Sequence, residues 1–260
     1  PWPCQAALSR ASSSKVQAMT GCFCPLVRRM SGTCHFAAAW HRGASPRSIA
    51  VAHLMVDLSC NQPGPASYRP TGYCAEKAIR IEPQSAFLNA IRSALPEDGI
   101  LVPGMTQVGY YAQPNFETYH PRTFLTSSYF GNLGFAYPVA LGAKVAMPDR
   151  AVVAISGDGG FLFNSQELST AVRHGINAVV VVFDDGAFGN VLRDQTNQFG
   201  GRIVGAELSN PDFVKLAQAY GANGVKADGP EELEIALRDA LALDAPTLIH
   251  VPVGPMPLPY

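Results

Sequence analysis

From Ala151 to Val191 the chain reads AVVAISGDGGFLFNSQELSTAVRHGINAVVVVFDDGAFGNV, and no other stretch constrains the fold as tightly. Ala151–Ser156 and Asn177–Phe183 are continuous apolar runs, as strands covered on both faces of a parallel sheet require. Between them, Asn164–His174 carries Leu168, Ala171 and Val172 at helical spacing, and Gly175 is placed to end that helix in the left-handed conformation. Strand, helix and strand of these lengths form a βαβ unit, which lays both strands parallel in one sheet. Asp158, in the turn Gly157-Asp-Gly-Gly160, and the pair Asp184-Asp185 then fall at the same sheet edge. Twenty-four residues lie between Gly159 and Asp184, enough for one helix and one strand with little slack.

The alternation continues on both sides of this unit. Pro83–Leu95 places Phe87, Leu88, Ile91 and Leu95 on one helical face, with Pro at its start and Pro96 after its end. Gly99–Val102 reads as a short strand. Met105–Tyr111 reads as the loop that follows it, which sets Thr106 and Gln107 at the ligand edge of an open α/β sheet. Thr126–Phe135 (TSSYFGNLGF) leads into a small-residue helix from about Leu133 to Ala146, stopped by Pro148. After the Asp184–Asn190 loop and the start of a further helix, Ser209–Tyr220 is helical. Gly224–Lys226 is a short strand, Pro230–Leu243 a helix with Leu233, Ala236, Leu237, Ala240 and Leu241 on one stripe, and Thr247–Val253 the last strand. The fold class predicted is α/β, a doubly wound parallel sheet with helices on both faces, over residues 80–260.

The first 79 residues differ. All six cysteines lie at or before Cys74, no acidic residue precedes Asp57, and Arg10, Lys15, Arg28, Arg29, Arg42 and Arg47 make the region basic. Apart from a short apolar piece at Ile49–Leu58 it lacks periodicity, so it reads as a poorly structured leader and linker, ending in the Pro/Gly-rich GPASYRPTG of residues 64–72. Cys22, Cys24, Cys34 and His35 fit no common zinc spacing and no disulfide framework. The basic, Ser/Ala-rich composition is that of an organelle transit peptide. A cytoplasmic location is the first expectation and an organelle the alternative. A net charge of -1 gives no footing for a nucleic acid, and no apolar run reaches the roughly 18 residues of a membrane span.

Two carboxylates and glycines at one sheet edge suit a divalent cation together with the phosphate it brings. Mg²⁺ takes near-octahedral oxygens at about 2.1 Å, often one or two carboxylates with phosphate and water. Asp158 and Asp185 would supply side-chain oxygens and Ala187 a backbone carbonyl. Gly157, Gly159, Gly160 and Gly186 allow close backbone approach.

GDG followed some two dozen residues later by a polar pair, with Ser-Tyr-Phe-Gly-Asn-Leu-Gly, Gln-Glu-Leu-Ser-Thr-Ala and Asp-Gly-Ala-Phe-Gly-Asn in order, resembles the C-terminal diphosphate-binding domain of the thiamine-diphosphate-dependent enzymes of the acetolactate synthase, benzoylformate decarboxylase and pyruvate oxidase group. The likeness covers about residues 80–255. It implies Mg²⁺ held by Asp158, Asp185 and the Ala187 carbonyl, and thiamine diphosphate contacted at Thr106, Gln107, Gly157, Gly159, Gly160, Gly189 and Asn190. Gly131 would offer its carbonyl to the aminopyrimidine, and Leu133 would be the wedge that bends the cofactor. It further implies a lyase or transferase acting on a small 2-oxo acid by decarboxylation and carboligation, and a homo-oligomer, dimer or tetramer, in the full-length form. Two departures stand out. Asp184 replaces the usual first Asn of the pair; with two adjacent carboxylates beside a diphosphate, either Asp184 bonds loop backbone rather than the metal or the site binds more weakly. Val191 stands where pyruvate decarboxylases carry a proton-transferring Glu. The group's catalytic glutamate comes from a pyrimidine-binding domain or subunit, expected to be absent here because Glu76 and Glu82 sit in no suitable context. The chain alone would then hold half an active site and no catalytic residue of its own. A non-catalytic cofactor-binding or oligomer-interface module is the alternative. Glu167 reads as a structural helix residue, and His120 and His174 as surface or packing residues.

Overall fold

The computed structural model describes residues 80–127 and 130–258. The leader, its cysteines and the apolar piece at 49–58 lie outside the described residues, as do Ser128 and Tyr129 of the TSSYFGNLGF segment.

Five parallel strands form the sheet: β1 (Ile100–Pro103), β2 (Val152–Gly157), β3 (Val179–Asp184), β4 (Asn223–Lys226) and β5 (Thr247–Pro252), in the spatial order β1-β2-β3-β5-β4. Helices α1 (Gln84–Ala94), α2 (Gln107–Asn115), α3 (Ala136–Ala146), α4 (Asp158–Leu162), α5 (Glu167–His174), α6 (Gly189–Gln198), α7 (Phe213–Ala219) and α8 (Pro230–Ala242) connect and flank them. Progress from β1 through β3 to β4 runs in one direction across the sheet, and β5 turns back between β3 and β4. Right-handed crossovers then require the helices of the outward run on one face and α8 on the other.

The two cores show this division. Leu101, Val153, Ile155, Val181 and Ile249 pack with Phe87 and Ile91 of α1 and with Leu233 and Leu237 of α8. Their strand neighbours Val102, Val152, Ala154, Val180 and Leu248 point the other way, onto Ala140 of α3, Leu168 of α5 and Phe213 of α7. Each residue step along a strand thus changes core, which is why these strands are apolar at every position. Burying one such side chain contributes roughly 1.5–3 kcal/mol. Among the described residues no helix is long and apolar enough to cross a membrane.

The doubly wound sheet is as expected, with strand and helix ends shifted by a few residues. Two local readings are corrected. Met105–Tyr111 is not all loop: α2 begins at Gln107, immediately after Thr106 in extended conformation. Val108, Tyr111 and Ala112 are its buried face, an i, i+3, i+4 pattern masked in the sequence by Gly109 and Pro114. The GDGG turn is also not a turn. Gly157 ends β2 and Asp158 opens the single helical turn α4, where a carboxylate suits the positive helix start. Gly175 does end α5 in the left-handed conformation, at φ 60°.

Gly109 lets α2 lie against the end of β1: a Cβ there would stand 2.1 Å from the Gly104 carbonyl oxygen. Gly109→Ala must therefore displace α2 or β1. A loss of about 1–3 kcal/mol is expected from such overpacking, read as a lowered urea midpoint. An unchanged midpoint would show that α2 is not held this closely.

Candidate functional site

Gly157 of β2 stands beside Phe183 of β3 in register, so both strands release their chains at the same level. The connections leaving that edge enclose a cleft of about 230 Å³. Every site residue expected from the sequence lines it. Thr106 and Gln107 come from the start of α2, Gly131 and Leu133 from the segment before α3, and Gly157, Asp158, Gly159 and Gly160 from the end of β2 and α4. Asp185 and Ala187 come from the loop after β3, and Gly189 and Asn190 from the start of α6. Met105, Tyr110, Phe188, Val253 and Met256 add apolar and aromatic wall that the sequence did not flag. Val191, at the α6 end of the cleft, is 47% exposed.

Phe188 packs closely against α4 because Gly159 has no side chain: a Cβ there would be 2.4 Å from the Phe188 ring. On the other side, a Cβ at Gly189 would be 2.8 Å from Asp185 Oδ2. Both glycines are spaces the loop folds into.

Asp158 is only 2% exposed. Its Oδ2 accepts hydrogen bonds from the Gly186 N–H at 3.0 Å and from Asn210 Nδ2 at 2.7 Å. Burial pushes its pKa up to about 6, and the charges of Asp185 and Asp184 add to the shift, against hydrogen bonds from Asn210 and the Gly159 N–H. Burial also raises Asp185, with Asp184 adding and with the Ala187 N–H and Arg193 opposing. Asp185 Oδ1 accepts from the Ala187 N–H at 3.4 Å.

Ala187 pairs antiparallel with Glu207, and the bonds on either side are Leu208 N–H to the Gly186 carbonyl and Phe188 N–H to the Ala206 carbonyl, both 2.8 Å. In such a narrow pair the central residue's own N–H and carbonyl point out of the ladder. The Ala187 carbonyl is therefore not used by Glu207, and the loop offers a backbone oxygen beside two carboxylates. Among the described residues no three His, Cys, Asp or Glu side chains are grouped to hold a metal ion. A cation in this cleft would rely on two carboxylates and backbone.

Asp184 turns away from the cleft. Its Oδ1 accepts from the Gly186 N–H at 3.1 Å and Asn210 Nδ2 at 2.7 Å, and its Oδ2 lies 2.9 Å from His250 Nε2. It bonds loop backbone, the first of the two outcomes expected of its departure from Asn. At the other end, Gln107 Nε2 and Arg193 Nη1 both donate to Asn190 Oδ1, at 2.8 and 3.0 Å. The sequence reading missed Asn210 and His250. The available signals were a polar residue inside the apolar strand TLIHVP and an Asn set before Pro211 at a helix entrance. Glu167 opens α5, and His120 and His174 are exposed.

A parallel α/β sheet with glycine-bearing loops, two carboxylates and a helix start at its carboxyl edge belongs to the class of folds that seat a phosphorylated cofactor there. Comparison with known proteins makes this specific. Residues 104–251 match the family described as thiamine pyrophosphate enzyme, C-terminal TPP binding domain, and the chain belongs to that family. It is 40% identical to a probable acetolactate synthase large subunit of Methanococcus aeolicus over 141 residues, 54% of this chain and 24% of that protein. With the probable acetolactate synthase large subunit of Methanocaldococcus jannaschii, identity is 38% over 169 residues, 65% and 28% of the two chains. Among solved structures, the thiamine diphosphate-dependent 4-hydroxybenzoylformate decarboxylase of Rhodococcus jostii RHA1 superposes with a TM-score of 0.61 at 30% identity, covering 66% of this chain and 32% of that one. The chain spans about a quarter of the length of the curated relatives it matches.

The raised Asp158 has a consequence for stability. An unfolded Asp titrates near 3.9, so between about pH 4 and 6 the folded chain binds the extra proton and stability falls as pH rises. Asp158→Asn removes the ionised form while keeping an acceptor for Gly186 and Asn210. The variant should melt above the parent at pH 7, and the gap should grow from pH 4 to 6 and stay level above. A variant no more stable than the parent at pH 7 would mean that the carboxylate is not held against its charge.

Proposed function

We propose that the cleft binds thiamine diphosphate together with Mg²⁺, and that the chain is the diphosphate-binding part of an acetolactate-synthase-like enzyme acting on 2-oxo acids. The observation that carries the metal is that Asp158, Asp185 and Ala187 line one cleft. Two acidic groups pushed above their usual range by burial are relieved by a divalent cation, and hard oxygen donors are what Mg²⁺ takes. Asp158, Asp185 and the Ala187 carbonyl would hold the ion.

Thr106, Gln107, Gly157, Gly159, Gly160, Gly189 and Asn190 would seat the diphosphate end. The start of α6 supports this, since its first N–H groups have no partner within the helix and carry its positive dipole end. Gly131 and Leu133, which line the same cleft, would meet the aminopyrimidine. Leu133 is 39% exposed, a bulky apolar side chain left at the cleft rather than drawn into either core. When bound, the cofactor supplies the nucleophilic carbon and the electron sink through which a 2-oxo acid loses CO₂.

This chain's own residues bind and orient. The titratable groups among the described residues lining the cleft are Asp158, Asp185 and Tyr110, and both carboxylates belong to the metal end. The acid that activates the aminopyrimidine is assigned to a pyrimidine-binding domain or subunit, in a homo-oligomer of the full-length protein. Val191, with no proton to give, favours transfer of the decarboxylated fragment to an acceptor over its protonation.

Isothermal titration of the chain with thiamine diphosphate should give a heat in Mg²⁺ that disappears with EDTA. Asp185→Ala should weaken the binding at least about tenfold, the scale of about 1.4 kcal/mol for one lost ligand contact. No heat in the parent chain would overturn the cofactor reading. Turnover of pyruvate by the chain alone would instead overturn the division of the active site.

A further inference from the structure

We propose that Asn210, anchored with Asp184 and His250 behind the cleft, is the positioning residue that fixes Asp158 for the metal. This rests on the metal reading of the cleft given above. Asn210 does not line the cleft. It sits at the entrance to α7, far along the chain from both carboxylates, and its Nδ2 reaches Asp158 Oδ2 and Asp184 Oδ1, each at 2.7 Å. The Gly186 N–H is divided between the same two oxygens, at 3.0 and 3.1 Å. Two carboxylate oxygens thus face one another across two shared donors.

An amide has two protons on nitrogen, and here each carboxylate is within reach of that nitrogen. Its own Oδ1 is buried and without a partner, so the side chain is held for what it donates. A lysine or arginine in this place would hold the carboxylates as well, but its charge would cancel theirs and compete with a cation. Asn holds them and leaves the negative charge in place. Asp184 is the fixed half of the pair, since His250 Nε2 occupies its other oxygen at 2.9 Å and the His250 ring packs on Phe213, centroids 5.2 Å apart. His250 stands opposite Val182 in the β3–β5 register, so the brace is rooted in the sheet.

Removing Asn210 leaves Asp158 and Asp184 facing each other with the Gly186 N–H as the remaining shared donor. Repulsion then turns Asp158 out of place. Replacing Asp184 by Asn in that background removes the repulsion and supplies a new amide donor to Asp158, so the second change should repair the first.

The test uses the full chain with thiamine diphosphate, with Mn²⁺ uptake followed by electron paramagnetic resonance. Asn210→Ala should weaken Mn²⁺ binding by about 10–100-fold, the usual cost of losing a group that orients a metal ligand. Adding Asp184→Asn should recover most of that loss. Unchanged affinity in Asn210→Ala, or losses that simply add in the double variant, would overturn the proposal. If circular dichroism shows Asn210→Ala unfolded, Asn210→Ser, which keeps one donor, should bind Mn²⁺ with an intermediate affinity; parental affinity there would overturn it. A second readout needs no metal: the Gly186 amide resonance should move upfield in Asn210→Ala as Asp158 leaves its N–H. A parent chain that takes up no Mn²⁺ defeats the metal reading, whereas a Gly186 resonance unmoved by Asn210→Ala defeats the brace.

Discussion

The cleft depends on the parallel register of β2 against β3. Because Gly157 pairs with Phe183, the residues after each strand, Asp158 on one and Asp184 and Asp185 on the other, emerge side by side. A slip of one residue would turn every side chain of β3 to the opposite core and carry Asp185 away from Asp158. Val153, Ile155, Val179 and Val181 on one face, and Val152, Ala154, Val180 and Val182 on the other, fix that register from both sides. A chemically unfavourable cluster of carboxylates is thus held in place by a sheet packed on both faces.

That cluster is a cost to the folded chain. Asp158 is buried beside two further carboxylates, and among the described residues no cationic side chain bonds it directly. Neutral donors hold it, the Gly186 N–H and Asn210. Arg193 lowers Asp185 but is itself bonded to Asn190 and the Met256 carbonyl. Sites that concentrate uncompensated charge give up stability for binding, and a divalent cation would reverse this cost.

Much of this was legible in the sequence because its signals are local. The apolar runs, the length between Gly159 and Asp184, and the glycines of GDGG and DDGAFGN located the sheet edge and its carboxylates, while Gly131 and Leu133 came from the family resemblance alone. The helix α2 was not legible, since Gly109 and Pro114 argue against a helix and only the tight approach to Gly104 explains the glycine. The brace was not legible either. Asn210 is bonded to residues 26 and 52 positions away, and His250 to one 66 away, so their partners appear only once β5 lies beside β3. The departure at Asp184 was visible as a residue, while its direction, away from the cleft, needed those partners.

The central claim is that Asp158, Asp185 and the Ala187 carbonyl form a metal site for a diphosphate cofactor. Crystals of the chain grown with Mn²⁺ and thiamine diphosphate, with data collected at the manganese edge, test it directly. An anomalous peak is expected within coordination distance of Asp158, Asp185 and the Ala187 carbonyl, with the diphosphate against Gly159 and Gly160. A peak on Asp184 and His250 instead, or none in the cleft, would contradict it.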